Sequence, residues 1–226
     1  MNDLLDFLAK KNLIWRGKQN TPASHLEQSG YQSLDEHLKG GFPQRGVISI
    51  NSPTGIGELR LLIPGMLEKK RLTVFINPPG HLNAEFLHHQ GFDLNLVLLI
   101  STHKKNEALW SAEQCLKSGA CSAVVLWQNF QEVHQVKRLQ LACNTGNCVQ
   151  FLLRTTQTHQ QQNLFSLPVS LNINLRPHWQ GLETTITKQK GGWPLKKFTI
   201  DMSSHWPYLS YQKANNVVAF PHTKAM

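Results

Sequence analysis

Acidic residues are scarce in this 226-residue chain: 14 Asp and Glu stand against 23 Lys and Arg, a formal charge of +9. Such a balance invites an anionic partner, either nucleic acid or an acidic protein surface. Long apolar runs are missing as well, so no membrane span is expected. Asp3, Asp6, Lys10 and Lys11 interrupt the start of the chain, where a secretory signal would be apolar. A cytoplasmic protein without membrane contact is therefore expected. The four cysteines (Cys115, Cys121, Cys143 and Cys148) form no close pair of the metal-binding kind, and the eleven histidines are scattered. Reduced thiols near the core are expected, with no metal site and no cofactor.

The most informative stretch runs from Gly46 to Pro64. An apolar strand at 47–50 enters a turn-rich loop at 51–57. The loop opens a segment in which Leu59, Leu62, Ile63 and Met66 recur at helical spacing. Strand, glycine loop and helix is the layout of a phosphate-binding loop, which requires Gly, four residues, Gly, Lys and then Ser or Thr. Aligned on Gly57, with Gly55 inside the loop, the first glycine is replaced by Ser52, the lysine by Glu58 and the hydroxyl residue by Leu59. The lysine neutralises the outer phosphates and the hydroxyl holds magnesium. Glu58 instead places an acid in the first helical turn, where the helix dipole favours an anion. An incoming triphosphate meets a like charge there, so this loop is not expected to bind ATP.

Residues 2–11 read as a short amphipathic helix with Leu4, Leu5, Phe7 and Leu8 on its apolar side, followed by a polar linker to residue 28. A Ser-Gly turn at Ser29–Gly30, a short helix and a glycine-rich turn at 40–43 lead into the first strand. Pro64 predicts a kink or an early end in the helix after the loop. Strands are expected at 72–76, within the apolar run 94–100, at 122–127 and at 149–153. Helices are expected at 83–90, 105–118 and 134–143. Alternation at 169–175 and a second strand at 183–188 signal a hairpin, and a last strand lies at 198–200. Lys188, Lys190, Lys196 and Lys197 make the densest basic cluster. They read either as a phosphate or partner contact or as lysines guarding a strand edge. Residues 203–226 show no periodicity and read as a disordered or partner-binding tail, with Trp206 and Phe220 as candidate contacts.

Ser29-Gly30, Leu34-Asp35 and Gly40-Gly41-Phe42-Pro43, placed before a glycine loop, resemble the RecA family. The resemblance implies an α/β fold: a RecA-like, P-loop-type core with a mostly parallel central sheet flanked by helices, ending in a C-terminal antiparallel hairpin. It places the core at 29–202, between an N-terminal helix and linker (1–28) and a tail (203–226). In RecA-like ATPases a Glu after the second core strand activates water, and an Asp ending the fourth holds the magnesium-bound water. Pro79 and Trp127 occupy those places here, so an inactive, non-catalytic fold is implied. The long DNA-touching loop after Trp127 looks deleted. The segment after Arg154 has no Lys or Arg up to residue 165, which leaves at most a weak DNA contact.

Within that group, the run Thr54-Gly55-Ile56-Gly57-Glu58-Leu59-Arg60-Leu61-Leu62-Ile63-Pro64 resembles ImuA proteins. So do Trp15-Arg16-Gly17, Pro78-Pro79, Arg138-Leu139-Gln140-Leu141-Ala142 and the turn from Lys188 to Pro194. This resemblance implies an accessory protein of damage-induced translesion synthesis. Its implied partners are an ImuB-like Y-family polymerase homologue, an error-prone polymerase and RecA, with Arg154, the lysine cluster, Trp206 and Phe220 as candidate contacts. The segment from Gly119 to Arg154 also resembles SulA proteins, which implies the alternative of a division inhibitor that binds FtsZ.

Overall fold

The computed structural model describes residues 26–67, 69–129, 132–155 and 167–208. The expected helix at 2–11, the linker up to residue 25, and Phe220 with the rest of 209–226 lie outside them. Eight strands form one sheet in the order β10-β9-β8-β3-β7-β6-β4-β5. The ranges are β3 Gly46–Ser52, β4 Leu72–Ile76, β5 Val97–Ile100, β6 Cys121–Trp127, β7 Val149–Thr155, β8 Leu171–His178, β9 Gly181–Gln189 and β10 Leu195–Asp201. The pairings β3–β7, β3–β8, β4–β5, β4–β6 and β6–β7 are parallel, whereas β8–β9 and β9–β10 are antiparallel. The mostly parallel sheet with an antiparallel C-terminal end is thus the observed fold. A further two-residue pair, β1 (Leu26–Glu27) with β2 (Phe42–Pro43), precedes the sheet. It ends the expected linker three residues early, because Leu26 and Glu27 pair in register with Pro43 and Phe42.

Helices cover both faces. α1 (Gln32–Leu38), α2 (Glu58–Met66) and α3 (Ala84–His89) contribute to one apolar layer, through Leu34, Leu61, Leu62, Met66 and Leu87 against Ile48, Ile50 and Phe75. α4 (Lys105–Lys117) and α5 (Val133–Gly146) pack Ala108, Ala112, Leu116, Leu139 and Ala142 against Val47, Val74 and Val124 on the other. The near-continuous burial of β3 and β6 follows from coverage on both sides. No helix among the described residues is long and apolar enough to cross a membrane.

Pro64 lies inside α2, yet the helix continues to Met66. The ring supplies no N–H to the carbonyl four residues back, that of Arg60. Tyr31 replaces the missing donor: its hydroxyl donates to the Arg60 carbonyl at 2.7 Å. Trp206 Nε1–H then donates to the Tyr31 oxygen at 2.8 Å. The next residue, Gly65, leaves room for the backbone of 28–29, since a Cβ there would lie 3.0 Å from the Gln28 carbonyl oxygen. The interruption is therefore absorbed by contacts from outside the helix.

This arrangement corrects the reading of Trp206 as a partner contact. Trp206 is 5% exposed, stacks on Phe86 at 5.8 Å and belongs to the core. His205 joins it by bonding to the Gly30 carbonyl at 2.8 Å. The chain through Trp206 is part of the folded body, because its indole repairs the polar balance around Pro64.

Burial pushes the Tyr31 phenol up to about 12 against hydrogen bonding from Trp206, which pulls the other way, and the nearby charge of Arg60. The neutral phenol is the form that donates to Arg60, so its stabilising effect is complete below pH 10 and is lost as pH rises toward 12. Tyr31→Phe should cost about 1–3 kcal/mol at neutral pH, since it strands a buried carbonyl and an indole N–H. Urea denaturation at pH 8 and pH 11 should show the wild type losing stability between the two and the variant losing less.

Candidate functional site: a phosphate loop with its charges replaced

The glycine loop keeps its conformation. Gly55 and Gly57 hold φ of +79° and +84°, in the left-handed region that favours glycine. Gly57 serves as the N-cap of α2 without a side-chain cap. Glu58 occupies the first turn and is only 8% exposed. Its carboxylate has no hydrogen-bond or ion-pair partner among the described residues. Arg60, the nearest cation in sequence, does not stand in for the missing lysine: its Nη2 turns back and donates to the Ile56 carbonyl at 3.1 Å.

The C-terminal ends of β3, β4, β6 and β7 converge here on a cleft of about 220 Å³. Ser52, Thr54 and Glu58 line one side, Pro79 lies at the end of β4, and Trp127, Asn129 and Arg154 complete it. The fold thus brings together the expected loop positions Ser52 and Glu58, both expected lost catalytic positions, Pro79 and Trp127, and the candidate contact Arg154. Gly55, Gly57 and Leu59 belong to the same loop and helix start, with Leu59 packed against the core. The cleft is smaller than the roughly 300 Å³ at which ligand pockets usually begin.

Arg154 is the one lining cation among the described residues. Its Nε and Nη2 both donate to the Asn129 carbonyl, at 3.2 and 3.1 Å. Nη1 is buried without a partner among the described residues, as is Trp127 Nε1. Burial lowers the Arg154 pKa from its ordinary value. Asn129 Oδ1 accepts the Thr155 amide at 2.8 Å, and the Thr54 and Thr155 hydroxyls meet at 3.3 Å across the loop. Asn129 and Thr155 were missed as site residues; the only signal was the position of Asn129 just after the strand that ends in Trp127.

The lysine cluster does not join this site. Lys188 donates to the Leu167 carbonyl at 2.6 Å and Lys197 pairs with Glu183 at 2.6 Å. Lys190 and Lys196 are exposed. Register puts the group away from the loop: Gln189 pairs with Leu171 at the start of β8, whereas Arg154 pairs with Asn51 near the end of β3. Among the described residues, no group of three or more His, Cys, Asp or Glu could hold a metal ion. All four cysteines are free.

No family model matches the chain. It is similar to RecA of Corynebacterium urealyticum, 27% identical over 121 residues, covering 51% of this chain and 33% of that protein. RecA of Corynebacterium efficiens is 24% identical over 114 residues, covering 49% and 30%. The chain spans about a third of the length of these curated relatives. The crystal structure of SulA from Pseudomonas aeruginosa superposes with a TM-score of 0.42 at 27% identity, covering 48% of this chain and 98% of that one. Similarity to RecA over half the chain agrees with a mostly parallel sheet flanked by helices.

The loop's shape depends on its two glycines. A left-handed conformation costs a non-glycine residue about 1–2 kcal/mol, and that should be the loss for Gly55→Ala, where a Cβ meets nothing within 4 Å. Gly57→Ala should cost more, since its Cβ would lie 2.3 Å from the Arg60 guanidinium and displace it. Urea midpoints of the two variants measure the difference.

Proposed function

We propose that this protein is a non-catalytic, RecA-like accessory factor of damage-induced translesion DNA synthesis. In this reading it is an ImuA-like adaptor joining an ImuB-like Y-family polymerase homologue to an error-prone polymerase, in concert with RecA. The observation that carries the reading is Glu58. An acidic side chain, without a partner among the described residues, stands where a triphosphate needs an amine, and the one cation lining the cleft among those residues is turned onto a backbone carbonyl. Phosphoryl transfer depends on positioning and charge neutralisation, and this cleft offers little of the second. The sequence resemblance to ImuA supplies the partners, and similarity to RecA over half the chain is consistent with it.

On this reading the protein works by docking, and the partner contact falls to residues beyond Tyr208, including Phe220. Removing 209–226 should abolish copurification of polymerase-like partners from DNA-damaged cells. Cutting before Trp206 should in addition lower the thermal midpoint, because it removes a buried indole and the donor to Tyr31. Calorimetry with magnesium-ATP should give no binding heat at millimolar nucleotide; saturable heat would overturn the non-catalytic reading. Filamentation of cells overproducing the protein, with suppressed FtsZ GTPase activity, would favour the SulA-like alternative.

A further inference from the structure

A cavity of about 500 Å³ lies at the other end of the sheet from the glycine loop. The β2–β3 turn, α5, the start of β8 and the β9–β10 turn enclose it. Its volume is within the usual range for ligand pockets. The apolar part is built from Leu38 and Leu171, each 1% exposed, with Leu26 and Pro43. Two exposed cations, Arg45 and Lys190, also line it. Neither has an ion pair among the described residues.

Among the described residues no carboxylate lines this cavity. The acids that flank it are already engaged. Asp35 accepts the Ser29 amide at 2.8 Å, and Glu27 pairs with Lys69 and accepts from Gln44. The polar wall is biased toward donors too. The Gln140 side-chain oxygen is taken by the Val47 amide at 3.0 Å and the Ser170 hydroxyl at 3.2 Å. Its amide nitrogen therefore lacks an acceptor among the described residues. Trp193, two residues after the lining Gly191 in sequence, is 85% exposed, and an exposed Trp is a residue type that anchors protein interfaces.

We propose that this cavity docks a short acidic peptide of a partner protein, with one large apolar side chain over Leu38 and Leu171 and an adjacent carboxylate on Arg45 and Lys190. Charge complementarity selects the occupant. Among the described residues the lining offers cations and an amide donor with no competing acid, and the chain as a whole carries +9. Nucleic acid fits less well. It needs a track of cations and several stacking aromatics, whereas Lys188 is spent on a backbone carbonyl and Lys197 on Glu183. The cavity is separate from the Glu58 cleft, so its occupancy is independent of whether nucleotide binds there.

The test selects a random dodecamer phage library on the immobilised full chain. The dominant peptide, made synthetically with a fluorophore, is then titrated against full-length variants by anisotropy. Selected sequences should pair Asp or Glu with Leu, Ile, Phe or Trp. Arg45→Glu with Lys190→Glu should weaken binding at least tenfold, and so should Asn144→Trp, which crowds the wall without changing charge. Glu58→Gln should leave binding unchanged, and thermal midpoints of the exposed-site variants should match wild type. The proposal is overturned by enrichment of no such sequence or by binding that survives the charge reversals. It is equally overturned if oligo(dT) displaces the peptide with the same variant dependence, or if sedimentation shows that the reversals abolish self-association instead. Magnesium-ATP calorimetry reports on the glycine loop separately, so failure of one reading does not entail failure of the other.

Discussion

A proline in the second turn of α2 sets the terms for the rest of the molecule. The helix begins at the glycine loop, so any break in it would move the loop. Pro64 removes the donor to the Arg60 carbonyl, and an unpaired carbonyl at a helix–core junction is costly. The replacement donor comes from Tyr31, at the start of the folded body, and is itself held by Trp206 at its end. Two segments 175 residues apart in sequence are thereby tied to one helical turn. The glycine loop is held in shape by that tie as much as by its own glycines.

Shape and charge have separated at this loop. The positive φ angles at Gly55 and Gly57 and the strand–loop–helix path persist. The groups that would handle a triphosphate do not. Glu58 occupies the favourable field at the helix start, Arg60 folds back onto Ile56, and Arg154 is held by Asn129. Thr54 and Thr155 meet across the loop. Arg60, Arg154, Asn129 and the two threonines thus bond within the loop and its surroundings, while Glu58, Arg154 Nη1 and Trp127 Nε1 have no partner among the described residues.

Much of the architecture was legible in the sequence because its elements are local and strongly periodic. The strands at 72–76 and 122–127 and the helix at 105–118 are found within a residue or so. Buried strands bounded by Gly, Asn and Pro leave little ambiguity. The positions singled out in the sequence, Ser52, Glu58, Pro79 and Trp127, line one cleft. Other features depend on distant partners and left no local trace. Trp206 sits in an aperiodic, polar stretch, and only the three-dimensional path brings it to Tyr31. The two-residue strand at Leu26–Glu27 is too short for any periodic signal. Pro64 suggested an early helix end, and the helix persists because the compensating hydroxyl lies 29 residues upstream. The lysine cluster looked like one site because its members are close in sequence; alternate side-chain directions and different partners divide it.

The two ends of the sheet differ in electrostatic character. At the C-terminal ends of the parallel strands the small cleft carries one acid and one committed cation, so a charged ligand gains little there. At the opposite end the larger cavity carries cations without acids, over an apolar floor. Because β3 runs from one end to the other, its sequence records the contrast: Arg45 and Gly46 open it beneath the cationic cavity, and Ser52 closes it beside Glu58. The anion-binding potential of a phosphate loop lies at the loop end. Among the described residues, the cations Arg45 and Lys190 lie instead at the far end, against concave apolar surface.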